Sequence, residues 1–216
     1  MGPTISGAAI ALKRQGLIDY QTALESQRRI HEEVAAGVRP NTLILLEHPS
    51  VYTAGRRTEI HERPLDGTPV VDVDRGGKIT WHGEGQLVGY PIIRLKNRNE
   101  VVGFVRAIEL ALIETLENFG IHGVQIADKT GVWIRDEKGE RKIAAIGIRV
   151  AKGVSMHGFA LNVCPDLSNF GRIIPCGMPE AETTSMEKEL GRSISIEEVT
   201  KILEPIMVKA LGKVSI

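Results

Sequence analysis

Residues 132–163 are written almost wholly in strand-forming runs, with no room for a helix between them. VWIRD (132–136) meets RKIAAIGIRV (141–150) across a Glu137-Lys138-Gly139 turn, which reads as a β-hairpin, and 154–163 follows as a further strand. Earlier strands are read at 42–47 (TLILLE, ended by His48-Pro49), 70–74, 79–82 and 86–95, where Pro91 suggests an edge or a bulge. Helices are fewer. Residues 18–36 carry an approximate apolar stripe of Ile18, Ala23, Leu24, Ile30 and Val34, with Gly37 as the stop. Residues 101–119 form the clearest helix, closed by Gly120. Residues 195–211 follow a Ser195-x-x-Glu198 capping box, and Pro205 is expected to kink or end that helix. Strands and helices do not alternate regularly, so a doubly wound fold is disfavoured. The expectation is an α/β (α+β) protein, a mixed β-sheet core flanked by helices. No repeat or linker divides the chain, and residues 1–216 read as a single domain.

Composition removes several function classes. The 216 residues are 42% hydrophobic and 25% charged, the balance of an ordinary soluble globular chain. Lys+Arg and Asp+Glu are both 27 and cancel, which argues against a nucleic-acid coat. With only 4% aromatic residues, stacking platforms for single strands are not expected either. No run of about eighteen apolar residues exists to span a membrane, and the N-terminus lacks the basic start of a signal peptide. Cys164 and Cys176 fit neither a disulfide scaffold nor a CxxC motif. A cytoplasmic protein without nucleic-acid or membrane partners is expected.

Three passages carry candidate chemistry. In Ile174-Pro175-Cys176-Gly177-Met178, proline restricts the entry and glycine permits unusual backbone angles. Such a corner can expose a sulfur while neighbouring N–H groups point at an incoming carbonyl, a geometry suited to acyl transfer. A buried loop cysteine fits the local sequence as well, since free cysteine is usually structural; Cys164, at a strand end before Pro165, is read that way. A thiol with a reference pKa of about 8.5 needs a basic neighbour to be a nucleophile at neutral pH. Lys142, opening Lys142-Ile143-Ala144-Ala145-Ile146-Gly147, is a candidate because small residues beside it leave room for a cavity; a hairpin-edge lysine pointing to water is the alternative.

The second passage, 74–86, packs Asp74, Arg75, Lys78, Thr80, His82 and Glu84 among four glycines. It is neither a Walker A loop nor a dinucleotide fingerprint, because its spacing fits neither. It reads as a loop whose backbone approaches a ligand, or as a plain glycine-rich connection. The third is His157-Gly158, which interrupts a regular strand; glycine there marks close approach of a ligand or another backbone. No metal site is indicated, because His82 and His157 have no acidic ligand motif beside them.

Together, in this order and spacing, these residues resemble the lipoyl(octanoyl) transferase family, also called lipoate–protein ligase B. The resemblance is carried by Arg75-Gly76-Gly77, Thr80-Trp81-His82, residues 85–91 (GQLVGYP), residues 142–147 (KIAAIG), residues 157–163 (HGFALNV), Asn169-Phe170, Ile173 and Pro175-Cys176-Gly177. Leu46-Glu47-His48-Pro49, Tyr52-Thr53 and Gly55 extend it, so that it spans about residues 17 to 190. Glu84 departs from the pattern, where a proline is expected.

The resemblance implies the α/β core shared with biotin and lipoate ligases. It implies an enzyme that takes an octanoyl group from acyl carrier protein, holds it as a thioester on Cys176, and passes it to a lysine of the lipoyl domains of 2-oxoacid dehydrogenases or of the glycine cleavage H protein. Lys142 is then the catalytic lysine. No cofactor is implied, because a thioester donor is already activated and needs no ATP. Residues Arg75, Gly76, Gly77, Lys78, Ile79, Thr80, Trp81 and His82, with Ala145, Ile146, Gly147, Gly158, Phe159 and Ala160, are expected to wall the acyl pocket. Arg56, Arg57, Arg75 and Arg149 are expected to form a basic rim for acidic partner domains. Three rival readings are an ATP-dependent lipoate or biotin ligase of the same fold, a non-catalytic lipoyl-binding domain, and a simple thioesterase.

Overall fold

A computed structural model describes residues 9–65, 67–97, 99–173 and 182–216. Strand β1 (Ile10–Leu17) precedes helix α1 (Tyr20–Ala35), which Asp19 caps by accepting from the Thr22 N–H at 3.0 Å. Then come β2 (Asn41–Glu47), β3 (Val51–Ala54), β4 (Val70–Asp72), β5 (Thr80–His82) and β6 (Gln86–Ile92). Helix α2 (Val101–Glu117) leads to the run β7 (Gly123–Ile126), β8 (Lys129–Asp136), β9 (Gly139–Ala151) and β10 (Val154–Asn162). The chain closes with β11 (Glu182–Thr183), α3 (Met186–Leu190) and α4 (Ile196–Val214).

Every residue of β10 is buried, which requires neighbours on both edges and both faces. It runs antiparallel to β9, with Gly158 opposite Gly147 and Ala160 opposite Ala145. It is antiparallel to β6 on its other edge. The main sheet has the order β1-β2-β6-β10-β9-β8-β7, with only β1 and β2 parallel along that path. β11 adds a short parallel pairing, Thr183 opposite Lys142, where β10 has ended. The two-residue period of the strands then splits the core. Leu43, Leu45, Leu87, Phe159 and Leu161 pack with Phe104, Ile108 and Leu112 of α2 and with Leu203 and Met207 of α4. Ile44, Leu46, Val88, Tyr90 and Ala160 face the other way, onto Ala23, Ile30 and Val34 of α1. A second, three-stranded sheet, β4-β3-β5, has its own small core of Tyr52, Ile79, Trp81, Phe170 and Ile173. No described helix is long and apolar enough to cross a membrane.

The expected edge or bulge at Pro91 is corrected, and of the two outcomes expected at Pro205, a kink or an end, the end is corrected. Pro91 sits in β6, a central strand, opposite Leu43 of β2. It is tolerated because β6 and β10 part company there: their pairing ends at Gly89–Phe159, the His157 N–H turns to Gln27 Oε1 at 3.1 Å, and the Ser155 hydroxyl donates to Pro91 O at 2.6 Å. The missing N–H therefore faces a gap in the ladder. Pro205 neither ends nor bounds α4, which continues to Val214. Pro205 and Lys201, whose carbonyl loses its partner, are both exposed, so water satisfies the carbonyl while Val199, Leu203, Met207 and Leu211 stay packed. β1 and β7 were not legible as strands in the sequence; both are sheet edges.

Candidate active site

The cleft lies where the small sheet covers the main one beyond the N-terminus of α1. On the main-sheet side its floor is Val88, Ala145, Gly147, Gly158 and Ala160. Side chains this small leave a void of about 500 Å³, counting its mouth, between the two sheets. Ile146 and Phe159 also line it; Gly77, Lys78, Thr80, His82 and Arg75 wall the opposite side, and Tyr20, Tyr90 and His157 complete it. A volume of that size with an apolar floor and a few polar groups is that of a small-molecule site.

The glycine passage is held by Arg75. Its buried guanidinium donates to Thr53 O at 2.7 Å, to Thr53 Oγ1 at 2.8 Å and to Lys78 O at 2.8 Å. The loop is thereby folded round its own side chain, and Gly77, at φ +84°, makes the turn. The Gly76 N–H then donates to Ile148 O at 3.1 Å, docking the loop on β9. Close approach demands the other glycines: a Cβ on Gly147 would lie 2.9 Å from Arg75 Cδ, and one on Gly158 would lie 1.9 Å from Gly89 O. Lys78 pairs with buried Glu62 and, at 3.5 Å, with Glu59. Burial acts to raise the Glu62 carboxyl, but Lys78 and the Glu59 N–H at 2.9 Å outweigh it and hold it below the usual range. Ile79 and Trp81 stand behind the wall, in the small core, with the Trp81 ring edge-on to Phe170. Gly76 lines an outer groove rather than the cleft.

Two histidines face the cleft in different states. His82 is buried between Gln86 Oε1, 2.7 Å from Nδ1, and Thr53 Oγ1, 3.4 Å from Nε2. Nδ1 must carry a proton to donate to the amide oxygen, which in the neutral ring leaves Nε2 as the acceptor. Burial, helped by nearby His48, pushes its pKa down to about 3. The same line of hydrogen bonds continues from Gln86 Nε2 to Asn162 Oδ1 at 2.8 Å and from Asn162 Nδ2 to Thr184 O at 2.9 Å. His157, at φ +61° in mid-strand, sets Nε2 2.8 Å from Asp74 Oδ1, and Arg149 holds the other Asp74 oxygen at 2.7 Å. Burial lowers the His157 pKa against the pull of Asp74.

Lys142 is half-buried beside the cleft but does not line it. Its ammonium lies 4.7 Å from the Trp133 ring centroid, a cation–π distance. It lines a smaller cavity of about 280 Å³ with Thr80, Gln86, Ala145, Asn162, Phe170 and Thr183, sharing Thr80 and Ala145 with the main cleft. Its backbone is fixed on both sides: the Thr184 N–H donates to Lys142 O at 2.9 Å, and neighbouring Arg141 is clamped by Asp136 and Glu189 at 2.8 to 3.1 Å. Cys176 lies outside the described residues. Cys164 is described: burial, with Glu187 and Glu47 nearby, pushes its thiol up, as suits an inert cysteine. Of the four arginines expected on a basic rim, two are corrected. Arg75 is an internal brace, and Arg149 is taken by Asp74; Arg56 and Arg57 remain exposed.

The sequence reading missed Tyr20, Val88, Tyr90, Gln86 and Asn162 as cleft or cavity residues. Gln86 and Asn162 were visible as polar side chains in otherwise apolar strands, which is the signal that could have found them. Tyr20 is brought in only by the docking of α1.

Comparison with known proteins agrees with this geometry. Residues 19–207 match the model of the lipoyl protein ligase A/B catalytic domain. The chain belongs to this family. It is 53% identical over 197 residues to an octanoyltransferase of Salinispora tropica, covering 90% of this chain and 92% of that one. Among solved structures it resembles a lipoate-protein ligase A bound with ATP, at a TM-score of 0.70 and 14% identity over 95% of this chain and 85% of the other. It also resembles the biotin protein ligase of Aquifex aeolicus, at a TM-score of 0.52 and 15% identity over 94% and 69% of the two chains. The fold expected from the sequence is thus the fold found, and the chain is a transferase of this family.

Proposed function

We propose that the chain transfers an octanoyl group from acyl carrier protein to a lysine of lipoyl domains, by way of a thioester on Cys176 and with Lys142 as the proton shuttle. The observation that carries the reading is the position of Lys142, an amine in a small cavity that shares Thr80 and Ala145 with the apolar cleft. Phe170 and Thr183, which precede and follow in sequence the segment that bears Cys176, line the same small cavity.

The chemistry balances without a cofactor. Lys142 takes the Cys176 proton, and the thiolate attacks the thioester carbonyl. The carbon–sulfur bond to the carrier breaks, and the departing thiolate takes the proton back from Lys142. In the second half, the acceptor lysine amine attacks the acyl-enzyme, an amide forms, the amine proton passes to Lys142, and the Cys176 thiolate leaves and is reprotonated. The floor of alanine, glycine and valine receives the chain, at roughly 0.8 kcal/mol per buried CH₂. A 53% identical relative named octanoyltransferase supports this direction of chemistry over the ATP-dependent alternative. The test is intact-mass spectrometry after mixing with octanoyl carrier protein. Wild type gains one octanoyl group, Cys176→Ala gains none, and Lys142→Ala gains it about 10²-fold or more slowly. Acylation of Cys176→Ala at the wild-type rate overturns the nucleophile; acylation instead by octanoate and ATP favours the ligase.

A further inference from the structure

Strand β9 has an open edge that the acyl cleft does not use. The odd residues of β10 turn away from β9: the Ser155 N–H goes to Ile93 O at 2.9 Å and the His157 N–H to Gln27. By the alternation of an antiparallel ladder, Gly158 and Ala160 are the residues bonded to β9, so Ile146 and Ile148 direct their backbone groups to the opposite edge. β8 covers that edge only as far as Ala144, which pairs with Val132, and the glycine loop covers it again at Ile148 O. Between them the backbone N–H and C=O of Ile146 face an outer groove of about 1010 Å³, open to solvent. The groove has an apolar side, Val101 and Val105 of α2, and Lys142 is in its lining as well as in that of the small cavity. Gly77, Lys78, Ile146 and Gly147 line both groove and cleft, so one thin wall separates them.

The charges at the groove are sorted. Lys78 is taken by Glu62 and Glu59, and Lys129 by Glu140 at 2.6 Å; Asp128 is the acid in its lining. Arg57 is exposed, has no ion pair among the described residues, and is fixed at the rim by its N–H donating to Gly77 O at 3.1 Å. Among the described residues the groove therefore offers the Lys142 amine, a strand edge left open at Ile146 with an apolar flank, and a guanidinium without an ion pair. We propose that it holds the arm of the thioester donor, an extended amide-containing chain ending in a phosphate, with Ile146 meeting an amide and Arg57 the phosphate. This rests on the thioester reading above and adds where the donor lies.

The experiment measures single-turnover acylation of Cys176 by intact mass with three donors: octanoyl-4′-phosphopantetheine, octanoyl-pantetheine, and the octanoyl thioester of 2-mercaptoethanol, which has no amide. In wild type the phosphorylated donor half-saturates at about fivefold lower concentration than octanoyl-pantetheine, and the amide-free donor at about tenfold higher. Arg57→Ala collapses the first ratio to about one, and Arg57→Lys restores most of it. A ratio unmoved by Arg57→Ala, or equal half-saturation by all three donors, overturns the groove assignment while leaving the acyl-enzyme intact. If none of the donors acylates Cys176, the thioester reading itself falls. If octanoate and ATP acylate the enzyme and Arg57→Ala weakens ATP instead, the groove is a nucleotide site and the proposal is wrong.

Discussion

Acidification should unfold this protein through His82, and the size of the effect follows from its surroundings. The ring is buried, neutral and hydrogen-bonded to Gln86, with its folded pKa near 3 against about 6.5 in the unfolded chain. A depressed histidine pKa means that the unfolded state binds the proton first. Its contribution to stability is therefore full above about pH 6.5 and declines as the pH falls toward 3. Each unit in that window is worth about 1.4 kcal/mol, so between pH 7.5 and 4.5 the loss from His82 alone is about 2.7 kcal/mol. Urea unfolding at the two pH values, on wild type and His82→Gln, isolates it. His48 and the carboxylates titrate in both proteins and cancel, whatever His82→Gln costs at neutral pH. Wild type should lose about 2.7 kcal/mol more than the variant on acidification. Parallel losses, differing by less than about 1 kcal/mol, would refute the claim that this ring is buried neutral.

The other predictions concern the cleft walls. Gly158→Ala places a methyl against Gly89 O and Pro91 at a central strand pair, and should destabilise by about 3 kcal/mol in chemical denaturation. A loss under 0.5 kcal/mol would show that β6 and β10 are not so close. Lys78→Met leaves the Glu62 carboxylate, 1% exposed, with only the Glu59 N–H; the cost should be about 3 kcal/mol at pH 7. That penalty should shrink below about pH 5, since Glu62 in wild type is held below 4.5 and stabilises only while ionised. A penalty independent of pH would exclude the ion pair as its source.

Much of this molecule is determined by local sequence. The β8–β9–β10 run, the helices α1 and α2 and the Ser195–Glu198 capping box depend on short-range periodicity, turn chemistry and capping, and they fall where the residues put them. So does the smallness of the cleft floor, since alanine and glycine at 145, 147, 158 and 160 leave a void in any sheet that aligns them. The tertiary structure decided the rest. From sequence alone Pro91 marks an edge or a bulge and Pro205 a kink or an end, but a gap in the β6–β10 ladder admits Pro91 to a central strand and α4 runs on past Pro205. Arg75 and Arg149 look like surface cations until burial and Asp74 claim them, which leaves Arg56 and Arg57 exposed, with Arg57 in the groove lining. β1 and β7, at the sheet's two ends, took their places only through pairing with β2 and β8. Which charge is free and which edge is open depend on partners far away in the chain. A sequence lists donors and acceptors, while packing alone determines which of them are left over.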